Sequence, residues 1–188
     1  QQLFPGLIAP TTALGLMEIP AVRATVDTRE VGTYTPEVKS WLAVNPDSDL
    51  IPVARANGIT HFLPVPQGGT ITGQSGLMAT AGWGYENMLT HSPVALHLFW
   101  PSMNINPTAD DAKKQAKERD KRLKKIDDFF EEARAYAKSQ SAPGHKGVPS
   151  WDAMLPWVLG EKPLIIHANS VMQIESAVNW AIKRDWKP

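Results

Sequence analysis

The sequence predicts an α/β fold built on a parallel sheet, and three observations lead there. Apolar runs of strand length alternate with helical patterns, in the order strand, helix, strand, helix, strand, long helix, short helix, strand, helix. The later strand candidates are predominantly apolar, as parallel strands covered on both faces are. The chain has 188 residues, 43% hydrophobic and 20% charged, which is enough apolar material for a sizeable core.

Composition also excludes several classes. Nineteen Lys+Arg balance nineteen Asp+Glu, so there is no general pull toward nucleic acid, and no nucleic-acid partner is expected. With no cysteine, neither a disulfide framework nor a thiolate metal site is open to it. No apolar run reaches the ~18 residues of a membrane span, and no signal-peptide pattern opens the chain. A soluble protein, cytoplasmic or periplasmic, is expected. The first residue is Gln1 rather than Met, which leaves a processed or truncated start open.

The elements follow in order. Leu3 to Ile8 is a short apolar run containing Pro5 and Gly6, which suits a strand start or an edge. Residues 9–47 lack sustained periodicity and read as a long loop, with one short helix near 13–19. Loops of that length tend to be functional or to lean on a partner. Asp47-Ser48-Asp49 supplies cap candidates for a helix from Leu50 to Ala56, which Asn57-Gly58 ends.

Ile59 to Val65 reads as a buried strand closed by Pro66. The small, polar segment from Thr70 to Thr80 reads as a loop, and Gly84 to Thr90 as a short helix. Val94 to Trp100 is a second clear strand. Residues 109–139 form the longest helical pattern, with Ala116, Leu123, Ile126, Phe130, Ala133 and Ala137 on one face. Trp151 to Leu159 contains Pro156 and predicts a short or kinked helix. Pro163 to Ala168 is the third clear strand. Ser170 and Gln173 then have capping-box spacing, ahead of a helix carrying Val171, Ile174, Val178, Ala181 and Ile182 on one face.

Ligands of parallel α/β folds sit at the carboxyl ends of the strands. His167 lies there, just before a helix; imidazole can bind a metal or act as a base. The alternative is a ring that hydrogen-bonds the turn. His97 lies within an apolar strand, either as a satisfied core histidine or facing a site. Gln74 and Ser75, between Gly73 and Gly76, could line a substrate pocket, or the glycines could simply serve a turn. No Gly-Lys-Ser/Thr phosphate loop is present. The basic run 113–125 reads as a solvated helix face, because acidic residues interleave it. His61 begins a strand, and His91 and His145 fall in loops without sequence partners.

Several short segments, in order, resemble one family. Phe4-Pro5-Gly6-Leu7-Ile8 looks like the approach to the first barrel strand of the amidohydrolase superfamily. Ala56-Asn57-Gly58-Ile59-Thr60-His61 resembles the entry to its second strand. Gly73-Gln74-Ser75-Gly76 resembles a Gly-Gln loop of the imidazolonepropionase-like branch. Leu164-Ile165-Ile166-His167-Ala168 resembles the fifth strand with its metal-binding histidine.

The resemblance implies a (β/α)8 barrel and a divalent metal, zinc or manganese, that activates water for C–N hydrolysis. It makes His167 a metal ligand and sets His97 nearest the family's fourth-strand position; Gln74, Ser75 and His97 are the substrate-binding candidates. The substrate would be a small cyclic amide, amidine or peptide-like molecule. One departure is plain: where the family's first strand continues Asp-x-His-x-His, this chain has Thr11 and Ala13 at the two histidine positions.

A full barrel needs about 250 residues, so residues 1–188 are expected to form one incomplete barrel domain of about five βα units. The remainder of the barrel, or a second chain, would close the sheet. A single imidazole cannot hold a catalytic zinc, which normally has three protein ligands. The chain alone is therefore expected to be inactive, and whether the whole protein is an enzyme stays open. A non-catalytic relative that binds a small molecule or partner is the alternative.

Overall fold

The structure is a computed structural model that describes residues 4–106, 111–142 and 144–186. The chain forms two compact units, Gln1–His97 and Leu98–Pro188. The first holds β1 (Leu7–Thr12), α1 (Leu50–Ala56), β2 (Ile59–Pro64), β3 (Ile71–Ala79), α2 (Tyr85–Met88) and most of β4 (Leu89–Phe99). The second holds the end of β4, then α3 (Ala112–Ser139), α4 (Pro149–Val158), β5 (Leu164–His167) and α5 (Val171–Lys183). The strands are hydrogen-bonded in the order β1-β2-β3-β4-β5.

In the first unit β1 and β2 are parallel, with Leu7 opposite Ile59 and Thr12 opposite Pro64. The strand β1 starts later than the apolar run suggested. Between these strands α1 forms where expected. The Ser48 hydroxyl accepts from the Leu50 N–H at 3.3 Å, and Gly58 ends the helix at φ +90°, a left-handed conformation open to glycine. Ile51 on α1 joins Phe62, Met78, Met88, Leu16 and Trp41 in one core cluster.

The expectation of parallel strands throughout is corrected by β3. Residues 71–79 are not a loop but a nine-residue strand, and it pairs antiparallel to β2, with His61 opposite Ala79 and Phe62 opposite Met78. The sheet is mixed. That so small and polar a segment forms a buried strand follows from close approach. A Cβ on Gly73 would lie 2.6 Å from the Val38 carbonyl oxygen, and one on Gly76 would lie 2.8 Å from Leu89 Cδ1 and 3.1 Å from the Trp41 ring. Small residues here admit neighbours on both faces, so the strand is buried without being apolar.

Residues 13–47 form turns, bends and isolated bridges rather than the helix expected near 13–19. Short 3-10 turns occur at Arg23–Thr25 and Ser40–Ala43. Single parallel bridges tie Arg29 to Gln67, Tyr34 to Ile71 and Lys39 to Gln74. The long segment thus leans on β3 and its approach, and satisfies backbone groups there. The strand β4 is longer than its apolar stretch, so His91 lies in a strand and not a loop.

In the second unit α3 buries Ile126, Phe130 and Ala133, the middle of the expected stripe. The expected helix residues 109 and 110 lie outside the described residues. Lys113, Lys114, Lys117, Lys121, Arg122, Lys124 and Lys125 are exposed, as a solvated face requires. The helix α4 accommodates Pro156 in its last part and buries Met154 and Trp157. Phe130, Trp180 and Trp186 pack mutually edge-on, with ring centroids 5.2 to 5.7 Å apart. Trp180 Nε1 donates to Asp127 Oδ1 at 2.7 Å, and Arg184 pairs with the same oxygen at 2.7 Å. These two bonds fasten α5 to α3. Among the described residues no helix is long and apolar enough to cross a membrane.

Candidate functional site

In the second unit the chemistry gathers where β4 and β5 end. His167 is the last residue of β5, and its carbonyl accepts from the Trp100 N–H at 3.0 Å. The Phe99 ring stacks on the imidazole, with centroids 4.2 Å apart and planes 11° from parallel. Burial lowers the His167 pKa from its ordinary 6.5, because desolvation disfavours imidazolium. Neutral imidazole is the form that binds a metal or accepts a proton.

The segment after His167 is clamped by Gln173. Its side-chain oxygen accepts from the N–H groups of Asn169 and Ser170 at 3.1 and 3.2 Å. Its amide nitrogen donates to the Trp100 carbonyl at 3.0 Å. The Ser170 hydroxyl accepts from the Gln173 N–H, completing the capping box. One side chain therefore caps α5 and joins the ends of both strands. Spacing revealed the cap. The bond to Trp100 bridges 73 positions and left no local signal.

In the first unit Gln74 and Ser75 lie side by side in β3, and His97 lies in β4, the next strand in the hydrogen-bonded order. All three are buried. The Gln74 amide nitrogen donates to the Pro36 carbonyl at 2.9 Å, and its backbone N–H donates to the Val38 carbonyl at 2.8 Å. The Ser40 hydroxyl reaches both the Pro64 carbonyl at 2.6 Å and the Gln74 carbonyl at 3.0 Å. Gln74 thus pins residues 36–40 against the sheet. The Ser75 hydroxyl is fully buried with no hydrogen-bond partner among the described residues. At the β1 end, the Thr12 hydroxyl accepts from the Leu14 N–H at 3.1 Å; Thr11 and Ala13 flank it.

The other histidines lie apart from these groups in sequence. His61 Nδ1 is 3.1 Å from the Thr60 hydroxyl. His145, a loop residue without a sequence partner, is 3.2 Å from the Tyr136 hydroxyl, which itself donates to Asp152 at 2.6 Å. That carboxylate, with partial burial, raises the Tyr136 pKa. Among the described residues no three His, Asp or Glu side chains cluster so as to hold a metal ion. A catalytic divalent metal normally takes three protein ligands, so the described residues alone do not fit one.

Two concavities accompany these groups. In the first unit a groove of about 320 Å3 opens just beyond β1 and β2, between Leu16, Ser40 and Pro66. In the second unit an apolar groove of about 740 Å3 lies between β5 and α5, lined by Leu164, Ile166, Ile174 and Val178.

No family model matches the chain, and no curated protein matches it significantly. Its backbone is similar to the crystal structure of an amidohydrolase from Thermotoga maritima MSB8, with a TM-score of 0.73 at 18% sequence identity. The match covers 98% of this chain and 50% of that one, so the chain spans about half the length of the structure it resembles. At this identity the likeness is one of fold: an α/β arrangement of the amidohydrolase kind.

Proposed function

We propose that the chain belongs to an amidohydrolase-type protein, of the imidazolonepropionase-like branch, that hydrolyses a C–N bond in a cyclic amide, amidine or peptide-like substrate. The observation that carries this reading is His167: a desolvated imidazole ending β5, in a chain whose backbone follows an amidohydrolase over 98% of its length. His167 is the one described residue we propose as a metal ligand, for zinc or manganese. Further ligands would have to lie outside the described residues. Gln74, Ser75 and His97 remain the proposed substrate-side residues. Ser75 brings a buried hydroxyl without a partner among the described residues, the kind of group that a ligand or water satisfies.

In this reading a further strand and helix cover β5, from the remainder of the barrel or from a second chain. Support comes from the second unit. There β5 is the last strand in the hydrogen-bonded order, and Val171, Ile174, Val178 and Ile182 leave an exposed apolar stripe along α5. An uncovered stripe at helical spacing beside an apolar groove is a face built for packing.

A non-catalytic relative is the second reading, favoured by Thr11 and Ala13 at the positions of the family's histidine pair. Metal analysis of the longest natural form of the protein, joined to an assay over cyclic and peptide amides, separates the two. Near-stoichiometric zinc or manganese with hydrolysis supports the enzyme. Metal-free protein that hydrolyses none of them supports the binding relative.

A further inference from the structure

The groove beyond β1 and β2 has a chemistry that the hydrolase reading does not use. Four charged side chains line it: the carboxylates Asp27 and Glu30 and the cations Arg29 and Lys39. All four are exposed, and none joins an ion pair among the described residues. Its other lining residues are largely apolar, with Leu16, Val38 and Pro66 among them. Two charges of each sign around an apolar floor suit a ligand that carries both signs itself. A ligand of single sign would meet repulsion from half the rim.

The walls are held rather than loose. Gln67 N–H donates to the Thr28 carbonyl at 2.7 Å beside Arg29. The Gln74 bonds to Pro36 and Val38 hold the backbone leading into Lys39. Ser40, next to Lys39, is buried and bonded to both Pro64 and Gln74. The two cations therefore stand on extended segments fixed to neighbouring backbone, so little order is lost when a ligand arrives. The groove also lies where parallel strands end, the usual place for ligands in α/β folds. Its volume, about 320 Å3, suits a molecule of dipeptide size.

We propose that this groove binds a small zwitterion, an α-amino acid or short peptide. Arg29 and Lys39 receive the carboxylate, and Asp27 and Glu30 receive the ammonium group. Gln74 is a positioning residue that holds the Lys39 segment in place. Binding stands on this geometry alone. That the zwitterion is also the substrate rests on the hydrolase reading.

The test is a titration of the 188-residue chain at low ionic strength, with glycylglycine as probe and backbone NMR shifts as readout. Glycylglycine is expected to bind saturably, with a Kd on the order of 1 mM and shifts centred on residues 27–40. N-acetylglycylglycine lacks the ammonium group, and glycylglycine amide lacks the carboxylate. Each should bind about two- to fivefold more weakly, the range for a partly exposed charge pair.

Variants then assign the signs. Arg29→Gln with Lys39→Gln should weaken glycylglycine and its acetyl form but hold the cationic amide at least as tightly, since the like charges are gone. Asp27→Asn with Glu30→Gln should weaken glycylglycine and the amide but hold the anionic acetyl form at least as tightly. Equal binding of all three probes, or no saturable shift at these residues, overturns the proposal. Hydrolysis by the longest natural form of the protein is read separately. Lost binding with hydrolysis intact removes only this groove, and bound glycylglycine without any hydrolysis removes only the reaction.

Discussion

Phe99 and His167 lie face to face at the ends of adjacent strands, with ring centroids 4.2 Å apart and planes 11° from parallel. The stack covers one face of the imidazole with hydrocarbon. That withholds hydration from the charged form, and the lowered pKa follows from it. The same contact fixes the ring at the mouth of β5.

His167 should therefore titrate below 6.5 in the folded chain, and a two-dimensional NMR pH series will show it. An imidazole with a depressed folded pKa binds fewer protons folded than unfolded. Its contribution to stability is complete above the unfolded value near 6.5 and falls away as pH drops through the folded value. Phe99→Ala should bring the titration back toward 6.5. A His167 midpoint at or above 6.5 in the parent chain would contradict the desolvation argument.

Gln173→Ala removes the clamp that joins α5 to the end of β4. Lost capping and the lost bond to the Trp100 carbonyl should cost about 1–2 kcal/mol in urea unfolding. The His167 ring resonances should also shift, because the turn after β5 loses its tether. Unchanged resonances would mean that Phe99 alone sets the ring.

Gly73→Ala tests β3. Gly73 sits at φ +121° and an added Cβ would meet the Val38 oxygen at 2.6 Å. Strain and overpacking together should destabilise the chain by about 2–3 kcal/mol, read as a lower urea midpoint. A change below about 0.5 kcal/mol would show that residues 36–40 do not lie against this strand.

Trp180→Phe keeps an aromatic ring among Phe130 and Trp186 but deletes the N–H that meets Asp127. Asp127 keeps Arg184, so the loss should be moderate, about 1–2 kcal/mol by thermal unfolding. Trp180→Leu should cost more, since the edge-on ring packing goes as well.

The α5 stripe gives the converse result. Val171 is 70% and Ile182 59% exposed, so Val171→Ser with Ile182→Ser should leave chain stability within about 1 kcal/mol. If the stripe is a packing face, any self-association of the parent chain, followed by sedimentation velocity at rising concentration, should be weaker in the variant. If it is unchanged, the stripe is not the sticky face.

Local chemistry made much of this protein legible. Caps and a glycine stop delimited α1, a largely apolar run closed by Pro66 marked β2, a 3.6-residue period marked α3, and Ser170 with Gln173 opened α5. Each signal lies within one turn or one strand, where a residue's near neighbours decide its conformation. What tertiary structure decided lies farther apart along the chain. Gln74 meets Pro36 across 38 positions, and β3 turns antiparallel beside β2 although its composition reads as loop. Phe99 covers the His167 imidazole from the neighbouring strand. Packing and long-range hydrogen bonds settled these, because only contact between distant segments reveals why a strand must be small rather than apolar.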